Sequence, residues 1–313
     1  MRHVFRLNPA AGKKRAALRL MPQIQEYFSL RPAEYRIHVT NCPGDATEVA
    51  AAEAEAGVPV RLYACGGDGT LMETMNGIIR GAGTQGGHVE LASVPCGSGN
   101  DYVKAFGTVA DFSLDAVIEG TAVAVDGIRC YREAAGKTDY SLNIASIGMD
   151  ASVGLKMNKY KNKPLVSGPM AYNLAVADVF VHKLGSALRV SMETTDGLVE
   201  TEGDFLFVLA ASGKYYGGGY CGAPQADPAD RLLDFVTVDT ISRPRILRFL
   251  GIYKAGKHLD LDFVHTWRGA AIRVQAAKPL VVNMDGECFT DTGVSFELVP
   301  EMCRFVLPRD LLQ

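Results

Sequence analysis

The chain has 313 residues, of which 48% are hydrophobic and 21% charged, and its formal net charge at pH 7 is −3. At roughly 150 residues per domain, this length predicts two domains. It excludes the class of small proteins that depend on disulfides for stability. The nearly neutral charge excludes a chain that binds nucleic acid through overall basicity.

The seven cysteines are scattered and form no C-x-x-C pair, which indicates reduced thiols in a cytoplasmic protein. The N-terminal residues lack the apolar stretch of a signal peptide. The longest apolar run, residues 205–211, is far shorter than the ~20 residues that a membrane span requires. We therefore expect a cytoplasmic protein that touches a membrane, if at all, only at its surface.

The first part of the chain repeats one pattern, a short β-type run followed by a loop and a helical segment. The β-type runs lie at residues 4–7, 36–39, 60–64 and 89–94. Four such units in succession predict an α/β domain over residues 1–125, with a parallel sheet covered by helices on both faces. In such a sheet, ligands bind beyond the carboxyl ends of the strands.

From about residue 121 the pattern changes to a series of strand-like stretches. We expect helices to interrupt them at only two places, near residues 168–184 and 244–255. This part predicts an antiparallel β-sandwich with inserted helices over residues 126–300. The last segment, residues 301–313, could return to the first domain.

Glycine-rich sequences are the strongest functional signal. Two G-x-G-x-x-G patterns fail the strand–turn–helix context that a dinucleotide site requires. The one at residues 81–86 follows a helix, and the one at residues 217–222 runs into Ala223-Pro224 instead of a helix. Residues 66–70 have that context, and their glycines would let backbone N–H groups approach a phosphate. Asp68 would be repelled by phosphates unless Mg²⁺ lay between them. The alternative is a tight turn in which Asp68 caps the helix.

Two further loops follow strands in the same way, at residues 97–101 and 8–13. Loops at the carboxyl ends of neighbouring parallel strands converge on one ligand. A purely structural explanation would have to account for all three loops, so the pattern favours a phosphate site.

The ordered set of motifs resembles the diacylglycerol kinase catalytic family, which includes bacterial lipid kinases and sphingosine kinases. The resemblance covers nearly the whole chain, with further similarity at residues 143–151 and 216–224. The motifs that carry it are Asn8-Pro9-x-x-Gly12, Gly66-Gly67-Asp68-Gly69-Thr70-Leu71, Asn76-Gly77, Gly97-Ser98-Gly99-Asn100-Asp101 and Asp285-Gly286-Glu287.

The resemblance implies an NAD kinase/diacylglycerol kinase-like α/β domain and ATP-dependent phosphorylation of a lipid hydroxyl in a cleft between the two domains, with ATP and Mg²⁺ as cofactors. The acceptor would be of the diacylglycerol or sphingoid type. The positions that match the family's nucleotide site are Asn8, Pro9, Ala10, Ala11, Gly12, Thr40, Gly66, Gly67, Asp68, Gly69, Thr70, Leu71, Glu73, Gly97, Ser98 and Asn100.

By the same resemblance, Asp285 would be the catalytic base and Glu287 its neighbour, although Glu287 could itself be the base. Phosphoryl transfer needs a carboxylate to receive the hydroxyl proton, which either residue could supply. Without the other loops, residues 285–287 would be interpreted as a hairpin turn, since Asp-Gly is a strong turn signal.

Two other features of the family have counterparts here. Its structural Mg²⁺ would be held by Asp230 with the carbonyl groups of Asp227 and Leu232, but Arg231 replaces the usual glycine, and its charge could weaken or abolish binding. Asp126 matches the family's buried acid, with Lys13 and Lys104 as its cationic partners; alternatively, Asp126 begins a turn.

A local basic patch consists of Lys156, Lys159, Lys161 and Lys163. Clustered lysines contribute about 1 kcal/mol each toward binding anionic lipid, so the patch could hold the protein at a membrane; a solvated helix end is at least as good an interpretation. Two other functions stay open, a kinase of a soluble nucleotide such as NAD and a non-catalytic regulator that binds lipid or nucleotide. The sequence does not decide between a monomer and a homodimer.

Overall fold

The computed structural model describes residues 1–12, 15–84, 86–161, 168–181 and 184–312. The chain divides into two compact units, the first formed by residues 1–127 and 299–313 and the second by residues 128–298. The predicted fold class, an α/β domain followed by a β-sandwich-like domain, is confirmed.

The first unit begins as the repeating pattern predicts. Its elements are β1 (Arg2–Leu7), α1 (Leu20–Leu30), β2 (Tyr35–Val39), α2 (Asp45–Glu55), β3 (Val60–Gly66), α3 (Asp68–Ala82), β4 (Val89–Pro95), α4 (Leu114–Ile118) and the start of β5 (Thr121–Arg132).

The four strands form a parallel sheet in the order β2-β1-β3-β4. On one face, the Phe5 and Tyr63 rings stack with centroids 4.1 Å apart, and Phe28 of α1 packs edge-on against Phe5. Helix α3 packs against α2, and glycine is required at their closest approach because a Cβ on Gly77 would lie 2.4 Å from the carbonyl oxygen of Thr47. This packing fixes the start of α3 at the carboxyl edge of the sheet.

The second unit consists mainly of long antiparallel strands. Its elements, after the end of β5, are β6 (Lys137–Ser141), β7 (Ile144–Gly148), α5 (Met149–Lys161), α6 (Gly168–Val181), β8 (Ser186–Thr194), β9 (Gly197–Ala211), β10 (Tyr215–Tyr216), β11 (Tyr220–Cys221), β12 (Leu233–Asp239), α7 (Arg243–Lys254), β13 (Val264–Met284) and β14 (Glu287–Leu307), whose last residues belong to the first unit.

Strand β13 organises this unit, since it pairs antiparallel with β7, β8, β12 and β14. The side chains of the sheet form two apolar clusters. One is built from strand residues alone, such as Ile147, Phe235 and Phe296, and the other includes Phe249 and Tyr253 of α7. The second unit is therefore a sheet with one strand-only core and one face covered by helices.

The expectation of only two helical stretches in this part is wrong, because α5 adds a third. Its apolar residues do not form a stripe, so the helical period was not visible in the sequence. Strand β13 is continuous over 21 residues, although its register against β14 is irregular between Gln275 and Leu280.

Candidate functional site

In the first unit, three loops follow β1, β3 and β4; we call them the glycine loops (residues 8–12, 66–70 and 96–101). Asn8 joins the first loop to α3, since its side-chain amide donates to Thr70 Oγ1 at 2.9 Å. Its Oδ1 accepts the Ala10 N–H at 2.9 Å, which closes a local turn. The second and third loops are joined by the backbone N–H of Cys96, which donates to the Gly66 carbonyl at 2.6 Å.

The approach of these loops depends on the absence of Cβ atoms. A Cβ on Gly97 would lie 2.5 Å from Gly67 Cα, and one on Gly12 would lie 2.1 Å from the Cys96 carbonyl oxygen. Gly12 also has a φ of 69°, in the left-handed region that favours glycine. The glycines predicted to admit a phosphate thus also allow the three loops to touch.

Asp68 is the first residue of α3, but its carboxylate does not cap that helix. Its Oδ1 accepts the backbone N–H of Asp101 at 2.6 Å and that of Tyr102 at 3.3 Å. Burial, and then the charge of Asp101, raise the pKa of Asp68 above its ordinary value. The carboxylate therefore holds the third loop, and its expected role beside Mg²⁺ stays a prediction.

The third loop is shaped by its own side chains. Asn100 adopts a φ of 52°, and its amide both accepts from the Gly97 N–H and donates to the Gly97 carbonyl, at 2.9 Å each. Lys104 Nζ donates to Asp101 Oδ1 at 2.7 Å. Ser98, which was predicted to contact the nucleotide, is exposed at the tip of this loop.

The remaining predicted nucleotide residues differ in exposure. Ala10, Gly12 and Gly69 are exposed, Pro9, Gly67 and Glu73 are partly exposed, and Ala11, Gly66, Thr70 and Leu71 are buried. Thr40 is buried at the end of β2, where its N–H donates to the Leu7 carbonyl at 3.0 Å. The exposed members present backbone more than side chains, as a phosphate site requires.

The predicted ion network is only partly described. The buried Asp126 carboxylate accepts the Glu301 N–H at 2.8 Å, whereas Lys104 pairs with Asp101 as given above. Lys13 lies outside the described residues. The network of Lys13, Lys104 and Asp126 therefore stays a prediction.

In the second unit, Asp285 and Gly286 form the hairpin turn between β13 and β14, with φ values of 49° and 98°. Asp285 Oδ2 accepts from Ser141 Oγ at 2.5 Å and from the N–H groups of Leu142 and Asn143, and its Oδ1 accepts the Ile144 N–H at 3.0 Å. Four donors thus surround this carboxylate. They come from the segment joining β6 to β7, which no sequence signal connected with Asp285.

Glu287, the first residue of β14, is exposed. Among the described residues its carboxylate has no hydrogen-bond or ion-pair partner. The two predicted carboxylates thus occupy different surroundings: that of Asp285 accepts four hydrogen bonds, and that of Glu287 is exposed.

The motifs at residues 143–151 and 216–224 meet in a buried polar cluster of the second unit. Tyr216 Oη donates to Asp150 Oδ2 at 2.7 Å and lies 2.8 Å from Tyr253 Oη. Burial is the main cause that raises the pKa of Asp150. Tyr253, on α7, was not identified from the sequence because its spacing is that of an ordinary core residue.

The predicted metal loop is held by direct contacts between protein groups. Asp230 Oδ1 accepts the Leu232 N–H at 3.0 Å, and Asp230 Oδ2 accepts from Arg268 Nη2 of β13. Asp227 is exposed, and Arg231 has a φ of 62°. Within the described ranges, no three His, Cys, Asp or Glu side chains are grouped so that they could hold a metal ion.

The predicted basic patch is not a set of free lysines. Lys156 is paired with Asp178 of α6 at 2.7 Å, and Lys159 is exposed. Lys163 and the side chain of Lys161 lie outside the described residues. Across the described ranges, no helix is both long and apolar enough to cross a membrane.

Helix α7 has a basic and apolar outer face, which the sequence analysis did not single out. It contains three arginines and a lysine but no acidic residue. Leu247 is 61% exposed and Ile252 37% exposed, and both lie beside Arg248. Arg248 has no ion-pair partner among the described residues, whereas Arg245 pairs with Asp262 at 2.5 Å.

Two family models match the chain. Residues 2–130 match the diacylglycerol kinase catalytic domain, and residues 143–307 match the YegS C-terminal NAD kinase beta sandwich-like domain. A Pseudomonas aeruginosa protein named "Probable lipid kinase YegS-like" is 31% identical over 278 residues, which cover 88% of this chain and 85% of that protein.

A Mycobacterium tuberculosis diacylglycerol kinase is 26% identical over 268 residues, covering 85% of this chain and 82% of that protein. Among solved structures, a diacylglycerol kinase from Bacillus anthracis superposes with a TM-score of 0.67 at 19% identity, covering 99% of this chain and 98% of that one. At that identity the superposition shows a shared fold.

Proposed function

Because the chain belongs to the diacylglycerol kinase catalytic family and carries the YegS-type C-terminal domain, we propose that it transfers the γ-phosphoryl group of ATP to the hydroxyl of a lipid. The acceptor would be of the diacylglycerol or sphingoid type. The observation that carries the proposal is the presence, in one chain, of the three joined glycine loops and a free carboxylate at the turn between β13 and β14.

The glycine loops offer groups that bind the phosphates of a nucleoside triphosphate. Their exposed backbone at Gly12, Gly69 and Ser98, together with the amino end of α3, offers N–H donors and a partial positive charge to the phosphates. Mg²⁺ would arrive with ATP and neutralise charge on the transferred group. Asp68 keeps the third loop in place, so its loss would disturb the phosphate site even without direct contact.

The two carboxylates of the turn suit different tasks. A carboxylate that accepts several hydrogen bonds is stabilised in its charged form and is a poor proton acceptor. Asp285 fits a positioning role, since it ties the turn to the segment between β6 and β7. Glu287 is exposed and unpaired, so we assign the proton of the lipid hydroxyl to Glu287 in preference to Asp285.

The test is incubation of the purified chain with labelled ATP, Mg²⁺ and a panel of lipids with NAD as a further acceptor, followed by separation of the products. Label is expected in a lipid. Label in NAD would support a soluble-nucleotide kinase instead, and no label in any acceptor would support a non-catalytic regulator.

Variants of the turn test the assignment of the base. We expect Glu287→Gln to lower kcat by 10²–10⁴-fold while the protein stays folded, because general-base catalysis contributes an acceleration of about that size. Glu202→Gln, at an exposed ion pair on β9, is the matched control and should keep full activity. If Glu287→Gln keeps near wild-type turnover and a folded Asp285→Asn protein loses all activity, Asp285 is the base instead.

A lipid kinase has to reach its acceptor at a bilayer, and α7 is the surface that fits one. We propose that its outer face, formed by Leu247, Arg248 and Ile252, contacts anionic lipid. An amphipathic helix lies in the interface through exposed apolar side chains and basic residues that face lipid phosphates. The lysines expected to do this are less suitable, because Lys156 is already paired with Asp178.

A further inference from the structure

The loop from Asp227 to Asp234 is held by hydrogen bonds between its own residues, in which its backbone N–H groups are the donors. Asp227 Oδ1 accepts the Ala229 N–H at 3.0 Å, and the Asp227 carbonyl accepts the Asp230 N–H at 3.4 Å. Asp230 Oδ1 accepts the Leu232 N–H at 3.0 Å. Two oxygens that would be needed to hold a cation, the Asp227 carbonyl and Asp230 Oδ1, thus already accept hydrogen bonds from within the loop.

Two carboxylates of this loop, those of Asp230 and Asp234, face an arginine. Asp234 pairs with Arg268 in the antiparallel register of β12 and β13, so the Arg268 side chain emerges beside the loop. Its Nη2 donates to Asp230 Oδ2, and its Nε lies 3.5 Å from Asp234 Oδ2. One guanidinium therefore hydrogen-bonds to Asp230 and lies within ion-pair distance of Asp234. The Asp234 side chain is only 10% exposed, and its Oδ2 has no hydrogen-bond partner among the described residues.

A divalent ion and the Arg268 guanidinium cannot both bind the Asp230 carboxylate. Mg²⁺ demands about six oxygen ligands at about 2.1 Å in near-ideal octahedral geometry, and it would be repelled by a cation that touches the same carboxylate. Arginine presents a planar fork that matches carboxylates and keeps its charge at every relevant pH. The residues present do not fit the structural Mg²⁺ that the family resemblance led us to expect at Asp227, Asp230 and Leu232.

We propose that Arg268 is a built-in substitute for that metal ion, so that the second unit folds and stays folded without a divalent cation. Arg231 supports the same proposal. It adopts a φ of 62°, which the glycine usual in the family would tolerate better, and it adds a second positive charge to the loop. The proposal concerns structural metal alone and does not depend on which acceptor the protein phosphorylates.

The first measurement is the melting temperature of the purified full chain in excess EDTA and in excess Mg²⁺ or Ca²⁺, together with its metal content by atomic emission. We expect the same melting temperature in all three solutions and far less than one metal ion per chain after dialysis. A melting temperature that falls in EDTA, or one equivalent of bound metal, would overturn the proposal.

The second measurement uses Arg268→Met, which removes the charge and keeps an unbranched side chain. Two carboxylates are then left without their cation, so the melting temperature should fall by about 5 °C and be partly restored by Mg²⁺ or Ca²⁺. Arg273→Met on the same strand is the matched control, because Arg273 pairs with Glu133 outside the loop and its loss should create no cation dependence.

Arg268→Lys keeps a positive charge and should remain indifferent to divalent ions, which covers the case in which Arg268→Met fails to fold. A Lys variant that becomes dependent on a divalent ion, or a folded Met variant that does not respond to one, would contradict the substitution of a metal by Arg268. Because the readout is thermal stability, failure of this proposal would leave the kinase proposal untouched.

Discussion

His258 is a fully buried imidazole in the segment that follows α7, and its surroundings keep it neutral. One ring nitrogen, Nε2, lies 3.1 Å from the Gly222 carbonyl oxygen, and the ring packs edge-on against Tyr253 at a centroid distance of 4.6 Å. Burial lowers the pKa of His258 from 6.5 to about 4. Protonation of this side chain therefore accompanies unfolding.

The sign of the pH effect follows from that shift. Between pH 6.5 and about 4 the unfolded chain binds a proton at His258 that the folded chain does not, so stability falls as the pH is lowered through this window. The contribution lost is no more than about 3 kcal/mol. In His258→Gln, which retains a donor for Gly222, urea unfolding should show a smaller loss between pH 7 and pH 4. Parallel pH profiles for the two proteins would contradict this.

The turn between β13 and β14 shows what residue-level sequence reasoning can reach. The resemblance located Asp285 and Glu287, and the alternative interpretation of residues 285–287, a hairpin turn, describes the backbone there. The sequence could not show which of the two carboxylates is held by hydrogen bonds, because the four donors around Asp285 come from residues 141–144, far upstream in the chain. The same limit hid Arg268, whose position beside Asp230 depends on the register of β12 against β13.

Among the elements, α7 carries the clearest prediction for binding. The variant Leu247→Ser with Arg248→Gln removes one apolar and one basic side chain from its exposed face, and neither is a core residue. It should sediment with anionic vesicles several-fold less than the wild type does, because apolar burial and about 1 kcal/mol of lipid attraction per cation are both lost.

Arg189→Gln, at an exposed ion pair on β8, is the control for that experiment and should sediment like the wild type. Transfer of phosphate to a detergent-dispersed lipid should survive in the α7 variant, since no bilayer has to be reached. Unchanged sedimentation of the α7 variant would exclude this face as the membrane contact, and a loss in a variant of Lys159 would return the contact to the lysine patch.

Element prediction succeeded where one periodicity dominates. Strands β1 to β4 are short β-type runs, each followed by a loop, and the sequence locates their ends within two residues. Helix α5 was missed because its lysines interrupt any apolar stripe. The length of β14 depends on its pairing with β13, a contact between strands that its own sequence does not reveal.

For the molecule as a whole, the end of the chain belongs to the first unit. Arg304 and Phe305 of β14 pair in parallel with Glu90 and Leu91 of β4, so they extend the sheet by one strand. The fully buried Phe305 ring packs against Tyr102 and Phe106, with centroids 5.1 and 5.5 Å away. The core of the first unit is thus completed by residues from the far end of the sequence.

We expect Phe305→Ala to lower the free energy of unfolding by about 3–5 kcal/mol, the usual loss for a buried Phe. Equilibrium urea unfolding followed by circular dichroism measures this. Leu312→Ala, an exposed position in the same terminal segment, should change the value by less than about 0.5 kcal/mol. Equal small effects at both positions would show that the terminal strand contributes little.

The position of this strand also sets an order of events during synthesis. A ribosome releases residues 1–127 long before Arg304 and Phe305 have been made. During that interval the edge of β4 is unpaired, and Tyr102 and Phe106 lack their contact with the Phe305 ring. An unpaired edge is the part of a sheet most prone to pair with another chain. The second unit is synthesised during this interval, and the first unit is completed only when residues 299–313 follow.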